Sequence, residues 1–268
     1  LRNLLSVGVL YSCGLALLYA SLQAHGSLAT QRASGWLHVL ITALSSQEKA
    51  KDRETGTRML TVLSPIFIFL YAILFSLIAF DLVMSLEPHW LSTLFGAYFC
   101  IGNLYTGLGA LAVIAVIARS SFGLPALFPP ERAHDLGKLI FGFCILWTYL
   151  FWCQYLPIWY GNLPEETSFL LIRLKEEPWM DMSFVVLLLT FLTPFPLLLL
   201  QRVKRTPAVL AVVSLIVVVG MWLERYILVV PSIWHEPTLP LGWIELGMLV
   251  GFFALFTLAF LTFMRAFP

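Results

Sequence analysis

Charged residues are scarce in this sequence. Only 12% of its 268 residues carry a charged side chain, whereas 60% are hydrophobic, and the mean hydropathy is +0.88. A water-soluble protein of this length has no use for so much apolar surface, because its outer positions are mostly polar. The scarcity of charge therefore excludes a soluble globular domain and favours a membrane protein.

Residues that bind metals are also few and scattered. Cys13, Cys100, Cys144 and Cys153 include no C-x-x-C pair, as iron–sulfur, c-type haem and zinc-ribbon sites need. A membrane-embedded b haem needs histidines on facing helices. The five histidines all fall in loops or at the ends of apolar runs: His25, His38, His89, His134 and His235. We expect the cysteines to be small core residues, and any metal centre to belong to a partner subunit.

Apolar runs of about 20 residues, the length that crosses a bilayer as a helix, recur along the chain. They are too long and too uniformly apolar for the alternating strands of a membrane barrel. We predict an all-α, polytopic helical bundle with seven transmembrane helices. The runs cover residues 3–22, 61–86, 92–119, 136–160, 179–201, 206–229 and 242–266.

The longest segment between these runs covers residues 23–60. It contains the short apolar stretch 35–45, which is too short to span a membrane and indicates an interfacial or re-entrant piece within a cytoplasmic loop. We interpret 1–268 as a single transmembrane domain. Because the chain opens at Leu1, midway into an apolar run, we also expect further helices upstream.

Lys and Arg are distributed unevenly between the two predicted sides. Twelve lie in the loops after the first, third and fifth runs, at the helix ends that border those loops or at the end of the seventh run, and three lie on the other side. By the positive-inside rule, the twelve and the C-terminus are cytoplasmic. The cytoplasmic set is Arg32, Lys49, Lys51, Arg53, Arg58, Arg119, Arg132, Lys138, Arg202, Lys204, Arg205 and Arg265, and the outer set is Arg2, Arg173 and Lys175.

The stretch FDLVMSLEPHW, residues 80–90, places Asp81 inside the second run and Glu87 and His89 in the turn that follows. An ionisable group within the hydrocarbon region costs several kcal/mol, so it usually faces a protein interior or a polar cavity and marks a route for protons or substrate. These residues indicate that the chain handles protons.

Four helices are expected to bring polar groups to the same depth near the outer surface. The groups are Asp81 and Ser85, Gln154 and Tyr155, Glu224 and Arg225, and Glu245.

We predict that Asp81, Glu224 and Glu245 form one proton network, with Arg225 as the counter-charge and His89 near its exit. Since successive residues of a helix point about 100° apart, we expect Glu224 and Arg225 to face different neighbours. The structural alternative is that these charges pair only to hold helices together.

A second polar set, His134, Asp135 and Lys138, lies at the predicted cytoplasmic start of the fourth helix. His134 and Lys138 are four residues apart and so share one face. We interpret this set as the inner mouth of a proton pathway. The alternative is that His134 and Asp135 cap the helix while Lys138 is a surface residue.

Two further patterns concern packing. Gly96, Cys100, Asn103 and Gly107 lie three or four residues apart, a spacing that lets membrane helices approach closely. Gly102, Thr106 and Gly109 form another narrow face of the same helix. Asn103 is a candidate bridge between helices, and the alternative is that it only packs in the core. Pro194 and Pro196 are expected to kink the fifth helix.

The aromatic residues around Trp152, Trp159 and Tyr160 fit an interfacial belt. The alternative is that these rings line a slot of the size of a quinone.

Two stretches, SLEPHWLSTLFGAYF (85–99) and AHDLGKLIFGFCILWTYLFWCQYLPIWYGNLPEET (133–167), resemble the NrfD/PsrC-like membrane subunits of quinol oxidoreductases. Within that family the sequence is most similar to the second such subunit, the ActF type, of bacterial alternative complex III. The resemblance implies a fold of about ten helices, of which this chain is the C-terminal part.

The resemblance also implies a respiratory or photosynthetic complex of the bacterial cytoplasmic membrane that oxidises menaquinol or ubiquinol. Electrons pass to an iron–sulfur subunit and to multihaem and monohaem c-type cytochrome subunits, and a second NrfD-like subunit is the membrane partner. The quinol pocket is generally assigned to that partner. We therefore expect this chain to bind no metal or haem itself and to support quinol oxidation through a proton pathway.

Two other functions stay open. A proton-coupled secondary transporter also uses intramembrane carboxylates, although it should show paired repeats with broken helices at the membrane midplane. A purely structural anchor of the complex would need no ionisable network.

The charge distribution predicts that Lys204 is cytoplasmic. In right-side-out vesicles, a cysteine placed there by Lys204→Cys should stay unlabelled by an impermeant thiol reagent until the membrane is opened, with Lys175→Cys as the labelled control. Labelling of the Lys204 position in sealed vesicles would contradict the predicted orientation.

Overall fold

The computed structural model describes residues 2–29, 49–121, 128–234, 239–240 and 242–266. Within these ranges the chain is helical and has no strands, and seven of its helices are long and apolar enough to cross a membrane. The prediction of an all-α polytopic membrane protein is confirmed. The candidate spans are Arg2–Ser21, Glu54–Leu86, Phe95–Ser121, Pro130–Gly161, Trp179–Leu199, Pro207–Ser232 and Trp243–Thr262.

The helices are numbered here in chain order over the described residues. They are α1 (Arg2–Ala29), α2 (Lys49–Leu82), α3 (Phe95–Ser121), α4 (Pro130–Gly161), α5 (Pro164–Lys175), α6 (Trp179–Leu187), α7 (Pro194–Leu199), α8 (Gln201–Arg205), α9 (Pro207–Val229) and α10 (Trp243–Ala266). Short 3₁₀ turns follow α2 at Met84–Leu86 and α9 at Val230–Ser232.

The loop predicted for 23–60 is helical at both ends, because α1 continues to Ala29 and α2 begins at Lys49. Hydropathy detects only the part of a helix that lies in lipid. The segment KAKDRETGTRML is polar but rich in good helix formers, so the helix extends beyond its apolar part. The predicted interfacial stretch 35–45 lies outside the described residues.

The chain divides into two compact units, residues 1–74 with 240–268 and residues 75–239. In the first unit α1 and α2 approach closely at Gly56. A Cβ at Gly56 would lie 2.6 Å from the backbone nitrogen of Ala24 and 3.0 Å from the carbonyl oxygen of Ala20. Only glycine allows the two backbones to come so near.

The core of the second unit lies between α3, α4 and α9 and consists of large, fully buried side chains. Tyr105, Ile140, Leu210, Val217 and Met221 are fully buried there. Cys100 and Cys144 are also buried and free, which agrees with their predicted role as small core residues. The remaining surface of these helices carries many exposed Leu, Ile, Val and Phe side chains, as expected for contact with lipid.

The predicted break in the fifth span takes the form of a π-helical turn. Regular α6 ends at Leu187, residues Leu188–Leu192 form the π-turn, and α7 begins at Pro194. Proline has no N–H to donate and therefore interrupts the ladder of hydrogen bonds before it. The carbonyl oxygen of Thr190 instead accepts a hydrogen bond from the Tyr105 hydroxyl of α3 at 3.0 Å.

Small residues of α3 allow close packing, as their spacing predicted. A Cβ at Gly109 would lie 3.1 Å from Val218 Cγ2 of α9, and one at Gly96 would lie 2.7 Å from Ser76 Cβ of α2. Gly107 is different, since a Cβ there would meet nothing within 4 Å. Among these glycines, the close approach therefore involves Gly96 and Gly109 but not Gly107.

Gly220 of α9 offers a sharp test of this packing. A Cβ there would lie 2.8 Å from Leu189 Cβ and 3.2 Å from the Leu189 backbone carbon, so Gly220→Ala should lower the free energy of unfolding by about 1–3 kcal/mol. Gly107→Ala is the matched control and should be neutral or stabilising, because alanine favours a helix. Thermal unfolding in detergent compares the two, and equal effects would contradict tight packing at Gly220.

Candidate functional site

Glu224 is a carboxylate buried inside the second unit. It lies on α9 with only 4% of its surface exposed, and its Oε1 accepts a hydrogen bond of 2.6 Å from the Tyr98 hydroxyl of α3. Arg225 Nη1 lies 3.1 Å from Glu224 Oε2 and supplies the counter-charge. A carboxylate can be buried only where an opposite charge and hydrogen bonds compensate for the loss of its hydration. Arg225 and Tyr98 provide that compensation for Glu224.

Arg225 is itself held by α3. Its Nη2 donates to the Phe99 carbonyl oxygen at 3.1 Å and to Asn103 Oδ1 at 3.3 Å, and the guanidinium carbon lies 4.0 Å from the centre of the Phe99 ring. The guanidinium also lies directly against Gly102, where any side chain would collide with it. Asn103 thus bridges two helices, as its position suggested.

The expectation that Glu224 and Arg225 face different neighbours is wrong. Both side chains contact α3, through Tyr98 for Glu224 and through Phe99 and Asn103 for Arg225. The 100° offset separates only the Cα–Cβ directions. The long arginine side chain bends back towards the partner helix, so two adjacent residues can share it.

A cavity of about 360 Å³ lies beside Glu224, within the second unit. Its walls come from the segment before α3 and from α3, α4, α5, α6 and α9, and most of the lining is aromatic or aliphatic. The lining residues include Trp90, Tyr98, Trp147, Trp152, Leu170, Arg173 and Glu224. Its volume falls in the usual range for small-molecule sites, roughly 300–1,000 Å³.

Three residues that line this cavity carry buried polar atoms with no hydrogen-bond partner among the described residues. They are the indole Nε1 atoms of Trp90 and Trp147 and the Oε2 atom of Glu224. The Arg225 guanidinium lies 3.1 Å from Oε2, and its Nη1 donates a long hydrogen bond of 3.5 Å to the other carboxylate oxygen, Oε1. Unpaired buried donors and acceptors are rare in folded proteins, and each one calls for an explanation.

One wall of the cavity is a stack of three side chains. The Phe169 ring of α5 lies parallel to Trp90, with ring centres 3.8 Å apart, and the Arg173 guanidinium carbon lies 3.6 Å from the Phe169 ring centre. Since two groups this close cannot share one face of a ring, Phe169 lies between Trp90 and Arg173. The stack joins the loop before α3 to α5.

Arg173 fixes this wall to the end of α9. Its guanidinium is buried, and it donates to the carbonyl oxygens of Ile227 and Leu228 at 3.0 Å and to Ser232 Oγ at 2.7 Å. A cation is favourable there because the last carbonyls of a helix carry partial negative charge.

Arg173 remains a cation at neutral pH. Burial lowers the pKa of its guanidinium to about 10, and the negative charge of Glu87 opposes that lowering. Of the predicted proton-pathway residues, Glu87 is therefore near enough to Arg173 for their charges to interact. His89 is exposed, in the turn that leads to Trp90.

The predicted network of three carboxylates stays a prediction. Asp81 is half-buried in the second unit, and the described polar contacts of Glu224 go to Tyr98 and Arg225 rather than to Asp81. Glu245 lies in the first unit, where its Oε2 accepts a hydrogen bond of 2.8 Å from the Gly242 backbone N–H. Ser92 Oγ and Gln154 Oε1 add one more polar contact in the second unit, at 3.3 Å.

The second predicted set lies at the opposite end of α4 from Gln154. Asp135 and Lys138 form an ion pair of 2.7 Å, and both side chains are exposed. The exposed position of Lys138 agrees with the structural alternative, but the capping part of that alternative is wrong, because Pro129 is the N-cap of α4 and no side chain caps the helix. His134 Nδ1 is buried without a hydrogen-bond partner among the described residues, and an inner proton route through it stays a prediction.

Reasoning from sequence alone missed Tyr98, Trp90, Phe169 and Arg173 as members of the site. The signal for Arg173 was present, because it is one of few basic residues on the predicted outer side. The signal for the aromatic residues was weaker. Trp152 lines the cavity, whereas Trp159 and Tyr160 are exposed and fit the interfacial belt.

No group of three or more His, Cys, Asp or Glu side chains that could hold a metal ion occurs in the described part of the chain. No model of a known protein family matches the sequence, and no curated protein matches it.

Arg173 should contribute strongly to stability. Arg173→Met keeps much of the side-chain volume but leaves the carbonyls of Ile227 and Leu228 unpaired, so we expect a loss of about 3 kcal/mol or more in the free energy of unfolding. Lys175→Met, at an exposed position on the same helix, should change it by less than about 0.5 kcal/mol. Thermal unfolding of both variants in detergent checks this, and a similar small effect for both would show that the Arg173 contacts contribute little.

Proposed function

We propose that this chain is a membrane subunit of a quinol-oxidising electron-transfer complex and that Glu224 handles the protons released there. The observation that carries the proposal is the buried carboxylate itself. Glu224 lies within a membrane-spanning helix, is bound by Tyr98 and Arg225, and borders a cavity. Intramembrane ionisable groups with such partners are typical of proton relays.

The chemistry needs both proton and electron acceptors. Oxidation of a quinol to a quinone releases two protons and two electrons. In the proposed complex the electrons go to the iron–sulfur and c-type haem subunits, and the chain described here receives a proton. Glu224 is suited to this role because Arg225 stabilises the ionised carboxylate before transfer, and Tyr98 offers a hydroxyl through which a proton can move on.

The sequence resemblance supports the same proposal, since it implies a quinol oxidoreductase with a second NrfD-like membrane subunit as partner. Asp81, Glu87, His89 and Glu245 are the proposed continuation of the route, and His134, Asp135 and Lys138 its inner end. In this proposal the complex lies in the bacterial cytoplasmic membrane with the C-terminus of the chain in the cytoplasm.

A purely structural anchor is the second candidate, and one observation favours it. Arg225 bonds to a backbone carbonyl and an amide of α3, so the charged pair also fastens α9 to α3. The two functions differ in what the carboxylate must do. A fastening role needs the contacts of Glu224, whereas a proton relay needs its ability to bind and release a proton.

Glu224→Gln should therefore slow quinol turnover and the linked proton release by about 10-fold or more, while the complex still assembles with its full haem content. The amide keeps the shape and one acceptor oxygen but cannot carry a proton at neutral pH. Steady-state quinol oxidation and a pH-indicator dye in vesicles containing the complex measure the two rates. Glu165→Gln, at an exposed position on α5, is the control and should leave both rates unchanged.

A double-mutant cycle with Tyr98→Phe separates the candidates further. If Tyr98 and Glu224 act in one relay, the double variant should be clearly less impaired than the product of the single effects predicts. Unchanged turnover in Glu224→Gln, or loss of the assembled complex, would favour the anchor.

A further inference from the structure

Basic residues gather at one end of the second unit, where α3 ends, α4 begins and α8 joins two spans. This end carries six Lys or Arg residues but only two acidic ones. The basic residues are Arg119, Arg132, Lys138, Arg202, Lys204 and Arg205, and the acidic residues are Glu131 and Asp135. Positive charge is therefore in excess there, even though Asp135 pairs with Lys138.

Lys204 of α8 is held in a defined position against α4. Its stem lies beside Gly137, where a Cβ would come within 2.8 Å of Lys204 Cγ. Its ammonium nitrogen lies 5.6 Å from the centre of the Phe141 ring, one helical turn further into the span. The residue is half-buried, and it pairs with no acidic side chain in the described part of the chain. A cation fixed beside an apolar surface without a carboxylate partner favours the approach of an anion.

His134 adds a second polar group at the same place. Its Nδ1 atom is buried and has no hydrogen-bond partner among the described residues. Lys138, Lys204 and Arg205 lie near enough to His134 for their charges to interact with it. Either nitrogen of an imidazole can carry the proton, so Nδ1 can act as an N–H donor. A donor with positive charges near it calls for an acceptor that is negatively charged.

The short helix α8 lies at the depth where lipid headgroups are found. One candidate span ends at Leu199 and the next begins at Pro207, so α8 connects two membrane crossings. Leu199 and Leu200, just before α8, are exposed and apolar, and so is Leu139 of α4. Cations that border exposed leucines at the edge of a membrane match a molecule with an anionic head and apolar tails.

We propose that the start of α4 and α8 together bind the phosphate of an anionic phospholipid headgroup. The Lys204 ammonium and the His134 imidazole donate to phosphate oxygens, and Arg205 adds positive charge. The acyl chains extend over the exposed leucines. Phosphate is the group that is recognised, and a lipid is its source because the site lies between two membrane crossings. This site goes beyond the proposed function and does not depend on the proton role of Glu224.

The simplest alternative is a diffuse attraction between the basic residues and a negatively charged membrane surface. Such attraction depends on how many charges are present and is largely indifferent to which residue carries them. A site, in contrast, depends on Lys204 in particular. Arg202 lies on the same short helix and is exposed, and among the described residues it has neither of the contacts that hold Lys204 against α4.

The test adds dioleoylphosphatidylglycerol, an anionic phospholipid, to the purified chain and its copurifying subunits in a neutral detergent. Native mass spectrometry counts the bound lipid and gives its dissociation constant. Lys204→Gln should weaken binding about 5- to 10-fold, because a fixed positive charge beside the phosphate is lost. Arg202→Gln removes the same charge from an exposed position, and as the matched control it should change the constant by less than about 2-fold.

Gly137→Ala tests the position of the ammonium group without removing any charge. The added Cβ would displace the Lys204 stem, so lipid binding should weaken by about 3-fold or more. Gly142→Ala is the control for this variant, because a Cβ there would meet nothing within 4 Å. Alanine favours a helix, so both variants should fold even if Lys204→Gln does not. Unchanged binding in Gly137→Ala would contradict a fixed ammonium at the site.

Three other results would count against the proposal. Equal weakening by Lys204→Gln and Arg202→Gln would show that the attraction is diffuse and that no site exists. Equal affinity for dioleoylphosphatidylglycerol and the zwitterionic dioleoylphosphatidylcholine would overturn recognition of an anionic headgroup. Displacement of the bound lipid by millimolar inorganic phosphate would identify free phosphate as the ligand and would contradict a lipid site.

Discussion

The constraint on which the second unit depends is the burial of the Glu224 carboxylate in a membrane helix. A charge removed from water costs several kcal/mol, and the structure offsets that cost with a neighbouring cation and a hydroxyl donor. Each of these needs its own support. Arg225 uses a carbonyl oxygen and Asn103 on α3, and Gly102 provides the space for its guanidinium. Tyr98, Gly102 and Asn103 of α3 therefore all help to make the burial of Glu224 on α9 possible.

The same helix carries a second buried charge contact one turn further on. Arg173 of α5 pairs with the carbonyls at the end of α9, and through Phe169 it stacks on Trp90. Glu224 and Arg173 both line the cavity. Two buried charges, one in a membrane-spanning helix and one in α5, are therefore satisfied on different walls of one cavity.

The sequence predicts the helices well, because a membrane requires long apolar helices whatever the details of their packing. It also identifies Glu224 and Arg225, since charges are conspicuous in such runs. Tyr98 and Phe169 could not be found this way, because an aromatic residue in an apolar sequence carries no sign of which neighbour it will meet. The wrong prediction for Arg225 has a related cause. Helix geometry fixes the direction of the Cα–Cβ bond, but the torsion angles of a long side chain determine where its charged group lies.

The charge of Glu224 connects proton binding to the packing of α9 on α3. Tyr98 occupies Oε1 of Glu224, while Oε2 faces the Arg225 charge without an aligned donor. A proton on the carboxylate would remove the charge that holds the Arg225 guanidinium beside it. Protonation of Glu224 and the contacts of Arg225 with α3 would thus be linked, and each would alter the free energy of the other by the same amount.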